Sequence, residues 1–526
     1  MAANRALHLT LALAVLAAPL VAAQRAAGAG PALPLELPAL AALLLVAPAT
    51  AQTPARLAAT AALAALLGLA LLDLATRAAL GRAFNPALDL PLVADAWRLA
   101  SGALGAPLAL AAATALVAGL AAAVAALWWA TGAVARTRPA CALPALALLA
   151  GGALAAGPSG AVSAAQLGWE HLRDGWRARG DLAHFRADAA TDRRAEAVAA
   201  AILPALQGHD VLVVFVESYG RSALENPLYA PQVTATLAAA EPRLAAAGLA
   251  ARSAWLTSPV SGGQSWLAHA TLLAGLEVGT QGRYRALLAS PRRTLLHLAR
   301  RAGWRTAAVM PAITLPWPEA AWFGYDTVLA AADLGYAGRP FNWVTMPDQF
   351  TLAAIERRLL APAPRPPVFA AVALISSHAP WTPIPPLLPW DAIGDGTAFD
   401  RYAVAGDPPE VVWRDPDRVR TQYRAAIRYA LDAVLAFAAR RGGAAPVLIV
   451  LGDHQPAAFV AGDAPNRDVP VHVIAPPALL APLARRGWTA GLVPGRAAPV
   501  VPMQDVRDLL LDAFGAPGAV RPAAPG

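Results

Sequence analysis

Lysine is missing from this chain of 526 residues: all 42 basic residues are arginine. Cysteine is nearly missing too. Cys141 stands alone, which excludes an internal disulfide, so any exported portion has to be stable without one. Charged residues make up only 14% of the chain against 57% hydrophobic, and that balance excludes a protein that is water-soluble throughout. No arginine-rich tract with interleaved aromatics occurs, so nucleic acid is not an expected partner. The lack of lysine beside abundant alanine is the mark of a GC-rich genome. The net charge of +8 therefore says less than usual, although it suits anionic lipid surfaces and anionic substrates.

What is present divides in two. Apolar stretches near 7–23, 33–49, 57–76, 107–130 and 140–158 predict about five membrane spans in a domain over 1–158. The stretch 107–130 is the strongest. The stretch 33–49 is the weakest, because it carries Glu36 and three prolines. Arg5, an apolar core and "AAQRA" imitate a signal peptide, but the spans that follow favour an uncleaved first helix. With the N-terminus cytoplasmic, Arg5, Arg56, Arg136 and Arg138 fall inside, and Arg25, Arg77, Arg82 and Arg98 fall outside. Charge therefore does not set the orientation. Residues 159–204 are polar and helical in pattern, a surface helix or stalk.

Over 205–526 apolar strands alternate with helical stretches. Strands are predicted at 211–217, 306–311, 368–376, 447–453 and 469–476, and helices at 232–246, 265–276, 293–302, 349–360 and 418–440. This alternation predicts an α/β domain with a mostly parallel sheet covered by helices on both faces. The strand "VLVVFVE" ends in Glu217. "VFAAVALISSH" leads to His378, and "VLIVLGDH" ends in Asp453 and His454. A helix cap at Asp453 and a surface role for His454 would be the plainer reading of that segment alone. Three chemically loaded strand ends in one parallel sheet converge on one edge, where ligands of open α/β sheets bind. Carboxylates with imidazole suit Mg²⁺, Mn²⁺ or Zn²⁺. A nucleophile is sought in "TSPVSGGQSWLAHATLLAGL", where Gly262-Gly263 lead to Ser265 at the head of an apolar helix. Ser258 and Ser261 are its rivals, and helix capping is the plainer role for Ser265.

A membrane N-terminus followed by "VFVES", a Gly-rich turn with a hydroxyl residue, "SSHAPW" and "LGDHQ" resembles the alkaline phosphatase/sulfatase superfamily, within it the lipoteichoic acid synthase-like phosphoglycerol transferases. The resemblance covers about 205–480. It implies one divalent ion (Mn²⁺, Mg²⁺ or Zn²⁺) on Glu217, Ser265, Asp453 and His454, with Ser265 as nucleophile where the family mostly has Thr. It also implies His378 at the phosphate or acceptor, and Trp317 in the substrate loop. "GWRTAAVM…FGYDTV" looks like the family's segment after its second strand. The disulfide framework of the phosphoethanolamine branch and the Cys/Ser-x-Pro-x-Arg motif of sulfate ester hydrolases are both missing. Glu319 stands near the place where the lipoteichoic acid synthases carry Arg, which leaves the headgroup open.

The expectation is a metal-dependent phosphotransferase or phosphodiesterase in the bacterial inner membrane. Its catalytic domain would lie outside the cytoplasm and act through a phospho-Ser on a membrane lipid donor, with a glycan or lipid acceptor or water. The rival is a non-catalytic sulfatase-like membrane protein that binds a lipid or glycan headgroup.

Overall fold

The computed structural model describes residues 2–26, 34, 36–80, 83–89, 93, 97, 100–101, 105–137, 147, 164–197, 202–462 and 466–515. Two compact units result, residues 1–183 and 184–526.

In the first unit, α1 (Ala2–Ala26), α3 (Ala49–Leu80) and α4 (Ala106–Ala135) contain apolar stretches long enough to cross a membrane: Leu7–Ala26, Ala49–Arg77 and Ala106–Ala135. The stretch 33–49 does not form a fourth helix of that length. Its helix α2 spans only Glu36–Val46, 11 residues. The prolines explain the limits. Pro38 is tolerated in the first turn, and Pro48 lies just beyond the end, where the helix can no longer continue. The fifth expected span, 140–158, lies outside the described residues except for Ala147. Leu16, Leu44, Leu63 and Leu127 bury their side chains in one cluster, so the four helices share a packed interior. The unit closes with the larger part of α5 (Ala164–Ala190).

The second unit is built on a nine-stranded sheet. The strands are β1 (Val211–Val216), β2 (Ala250–Thr257), β3 (Arg305–Met310), β4 (Thr327–Ala330), β5 (Val368–Leu374), β6 (Val447–Gly452), β7 (Asp468–Ala475), β8 (Thr489–Ala490) and β9 (Val500–Pro502). Their order is β4-β3-β5-β1-β6-β7-β2-β8, with β9 against β2. The run β4-β3-β5-β1-β6 is parallel. β7 runs antiparallel to β6, and β2 antiparallel to β7. Two reversals restore the direction, so β2 points the same way as β1 and its end lies on the same edge.

β1 is fully buried because helices cover both faces. Leu212, Val214 and Val216 point to one face, among residues of α6 (Ala230–Ala246) and α11 (Pro416–Arg441) such as Leu237 and Phe437. Val211, Val213 and Phe215 point to the other, among residues of α7 (Ser265–Ala274), α9 (Leu295–Arg301) and α12 (Val506–Ala513) such as Leu267, Leu298 and Leu510. Between α7 and α9 lies α8 (Gln281–Leu288), and α10 (Asp348–Ile355) precedes β5. The expected α/β domain with a mostly parallel sheet is present. The strand at β2 was not expected from the sequence, and neither was the antiparallel setting of β7.

Candidate metal and nucleophile site

Each functional side chain sits just past the end of a buried strand. β1 runs into Glu217, β6 into Asp453 and His454, β5 into Ser376, Ser377 and His378, and β2 into the turn that precedes Ser265. Two glycines let the ends of β1 and β6 close on each other. A side chain on Gly452 would meet the Tyr219 carbonyl oxygen at 1.9 Å, and one on Gly220 would meet the Gln455 amide oxygen at 1.9 Å. Ser218 turns the chain with a φ of 58° and donates its backbone N–H to Asp453 at 2.8 Å. The β5 segment is tied in as well. The Ser377 hydroxyl donates to the Glu217 carbonyl at 2.6 Å.

Glu217, Asp453 and His454 each present a ligand atom, all within 4.8 Å of one another. Ser265 joins them. Its Oγ donates to Glu217 Oε2 at 2.8 Å and lies 3.1 Å from His454 Nε2. The sequence allowed a plain capping role for Ser265, and the structure replaces it. Gln264, at φ 66°, is the cap residue, and no side chain caps this helix. Ser265 is the first helical residue, and its hydroxyl faces the acidic cluster instead of its own helix. Of the rivals, Ser258 is buried with its hydroxyl spent on the Asp453 carbonyl at 2.6 Å. Ser261 is exposed in the turn.

The electrostatics are those of a site short of positive charge. Burial would raise the Glu217 carboxyl, but the charge and hydrogen bond of His454, with His378 behind it, hold it well below the usual range. Asp453 is pushed up by burial and by the charge of Glu217, against His454. Burial would lower His454, yet the two carboxylates raise it to about 9. His454 Nδ1 lies 2.8 Å from the Gln455 carbonyl, which can only accept, so Nδ1 carries a proton and Nε2 is the atom turned to the cluster. Two carboxylates and one imidazole with its Nε2 pre-oriented are a donor set that fits a hard or borderline divalent cation.

Beside the cluster opens a cavity of about 340 Å³. Glu217, Ser265 and His378 line one side, and Trp266, Tyr284, Trp317, Phe323, Tyr325 and Trp343 make it strongly aromatic. Among the described residues no arginine lines it. The six residues expected from the sequence thus occupy one site: four in the cluster, with His378 and Trp317 on the cavity wall. His378 is exposed, and its Nδ1 is 2.6 Å from the Ala379 carbonyl, which leaves Nε2 free.

Three contributors escaped the sequence reading. Buried Asp348 at the head of α10 accepts the backbone N–H groups of Ile375 and Ser376 at 2.8 and 2.9 Å, fixing the segment that carries His378. "MPDQF" offers a Pro-Asp helix start as its only signal. His269, one turn after Ser265, lines the cavity with its buried Nε2 unpartnered, and burial lowers it to about 4. The aromatic wall comes from four separate segments without a shared period.

Residues 209–469 match the Sulfatase family model, an interval that contains all six site residues. This stretch is a Sulfatase-family domain. No curated protein matches the chain. Among solved structures, the chain is similar to a lipoteichoic acid synthase of Listeria monocytogenes, at 14% identity over 60% of this chain and 74% of that one, with a TM-score of 0.39. The periplasmic domain of a phosphoethanolamine transferase from Campylobacter jejuni follows, at 10% identity, 58% and 89% coverage and a TM-score of 0.37. A phosphoglycerol transferase of Streptococcus pyogenes, solved with sn-glycerol-1-phosphate, is similar at 11% identity, 63% and 79% coverage and a TM-score of 0.37. These likenesses are remote in sequence and in fold.

Proposed function

We propose that the sulfatase-family domain is a metal-dependent phosphotransferase or phosphodiesterase that works through a covalent phospho-Ser265. The observation that carries this reading is the position of Ser265 Oγ, within hydrogen-bond reach of both Glu217 and His454 at the mouth of a cavity. A divalent cation on Glu217, Asp453, His454 and Ser265 would neutralise the buried carboxylates, lower the pKa of the hydroxyl and stabilise charge on the phosphoryl oxygens. Asp453, held by the Ser218 and His454 backbone N–H groups at 2.8 and 2.7 Å, stays fixed while the chemistry proceeds.

In the first half-reaction the Ser265 hydroxyl gives its proton to solvent, its Oγ forms a bond to phosphorus, and the bond between phosphorus and the departing alcohol breaks. His378 Nε2 meets the leaving oxygen or the phosphate and, when protonated, supplies the proton that the alcohol takes away. In the second half-reaction an acceptor hydroxyl or water gives its proton to His378 Nε2 and attacks the phospho-Ser265, and Ser265 Oγ departs and takes a proton from solvent. The donor is a phosphodiester, and a phospholipid headgroup is the source that fits best. The three apolar helices long enough to cross a membrane support a membrane location, where a lipid donor is concentrated. The aromatic wall with Trp317 accepts the organic part of the headgroup.

The test is to incubate the purified full chain with phospholipids labelled in the headgroup phosphate and to look for label on the protein. Covalent label mapping to Ser265, and absent from Ser265→Ala, supports the reading. Turnover by Ser265→Ala at the wild-type rate overturns it. The same reading places residues 159–526 outside the inner membrane. A C-terminal reporter that is active only in the cytoplasm would contradict that placement.

A further inference from the structure

Among the described residues, helix α5 presents one face to protein and leaves another uncovered. Leu167 is buried in the apolar cluster of the first unit, and His171 Nε2 lies 3.1 Å from Asp73 Oδ2, on a carboxylate that also accepts the Phe84 backbone N–H at 2.7 Å. Asp73 is fully buried near the C-terminal end of α3, in the last turns of the apolar stretch Ala49–Arg77. The start of α5 is thus tied to the end of a helix of membrane-crossing length.

The other face carries Trp169, Leu172 and Trp176, which are 65%, 63% and 72% exposed. At about 100° per residue these three fall within an arc of roughly 60°. The charges are sorted around that stripe. Arg173 and Arg177 border it on one side and Arg179 on the other, while Glu170, Asp174 and Asp181 fall farther round. Asp174 lies 3.8 Å from both Arg173 and Arg177. In water, two exposed tryptophans and a leucine in line carry an apolar penalty of about 25 cal/mol per Å². Tryptophan is also the side chain that settles at the headgroup level of a bilayer, with a flat apolar body and one N–H donor, and flanking arginines meet lipid phosphates.

We infer that the Trp169–Leu172–Trp176 face of α5 lies in the headgroup layer of the bilayer, so that the helix runs along the membrane surface. The inference rests on the membrane reading of α1, α3 and α4. Its occupant is lipid and not a second copy or another protein. The His171–Asp73 pair holds this face at the end of a membrane-length helix, and tryptophan bordered by arginine matches the chemistry found at that depth.

Spin labels test it in the full chain reconstituted in vesicles containing phosphatidylglycerol. Cys141→Ala frees the chain of cysteine, and single Leu172→Cys, Val117→Cys and Asp417→Cys variants carry the label. Val117 is an exposed position midway along α4, and Asp417 lies on the second unit with its side chain 89% exposed. Collisions with oxygen and with a water-soluble nickel chelate report depth. The expected ratio at 172 lies between the lipid-like value at 117 and the aqueous value at 417. A 172 label as aqueous as 417 overturns the inference, and so does a 172 label shielded from both reagents, which would mean protein covers the face. An aqueous 117 label overturns the membrane reading itself, so the two failures are distinguishable.

Discussion

The two ends of strand β1 handle buried acid in opposite ways. Asp210 stands just before the strand and meets Arg365 in a two-pronged pair, both distances 2.7 Å. Elsewhere in the same unit, buried Asp192 accepts from Arg507 at 2.8 and 3.0 Å, with Arg292 at 3.4 Å. At the other end Glu217 and Asp453 are buried, and among the described residues no arginine reaches them. Among the described residues their only cationic neighbour at contact distance is the imidazole of His454. None of the described arginines is placed here, in a chain that has 42. Acids that serve the fold are matched inside the fold, whereas acids left unmatched around a serine hydroxyl are set up for an outside partner.

The comparison breaks most visibly if the serine is removed. Ser265→Ala should fold and stay in the membrane, because no side chain caps α7, while turnover falls by about 10⁴-fold or more. Ser265→Thr should keep measurable activity. Headgroup release from labelled lipid measures both. At the matched Asp192–Arg507 pair the loss should be of stability and not of chemistry. Arg507→Leu leaves Asp192 buried without its pair and should cost about 3–5 kcal/mol in denaturant unfolding. Metal content of the folded fraction should be unchanged.

Acid titration separates matched from unmatched acid next. Asp192 is held below its ordinary value: burial would raise it, but the hydrogen bond and charge of Arg507, with Arg292, outweigh burial. Its contribution is therefore complete above the unfolded-state value and is lost as pH falls through the folded one. At the unmatched end acidification takes away metal binding instead of fold stability. The imidazole raised to about 9 must shed its proton before it can ligate, so metal binding should release protons and tighten as pH climbs from 6 towards 9. Calorimetry in two buffers of different ionisation heat would show the release, and its absence would mean that His454 does not ligate. The smallest effect belongs to Ser261→Ala. Its hydroxyl lies in the exposed turn, and activity should stay within about twofold, as for surface substitutions generally.

The strand ends were legible because apolar runs stop abruptly at Glu217, Asp453 and His454, and nothing in a buried strand tolerates a carboxylate except its tip. β1, β3, β5, β6 and β7 lie within two residues of the expected limits. β2 was not legible because Arg252 and Ser253 interrupt its apolar pattern. Its placement depends on pairing with β7 and β9, which are distant in sequence. The capping expectation for Ser265 failed on backbone geometry, since Gln264 takes the left-handed turn that ends the Gly-Gly segment. Gly220 and Gly452 look like ordinary punctuation in the sequence. Only the closeness of the two strand ends shows why a side chain is excluded at each. The buried pair of His472 with Tyr219 and Ser253, at 3.1 and 2.8 Å, shows the limit of reading histidines by type. Burial lowers His472 to about 3, and it serves the fold alone.

The most direct test of the unmatched end is elemental analysis of purified full chain, wild type beside Asp453→Asn, with headgroup release measured on the same samples. The account predicts about one divalent ion per wild-type chain, little or none in Asp453→Asn, and activity falling with the metal by about 10²–10³-fold. Wild type without metal, active at the same rate in the presence of chelator and matched by Asp453→Asn, would contradict it.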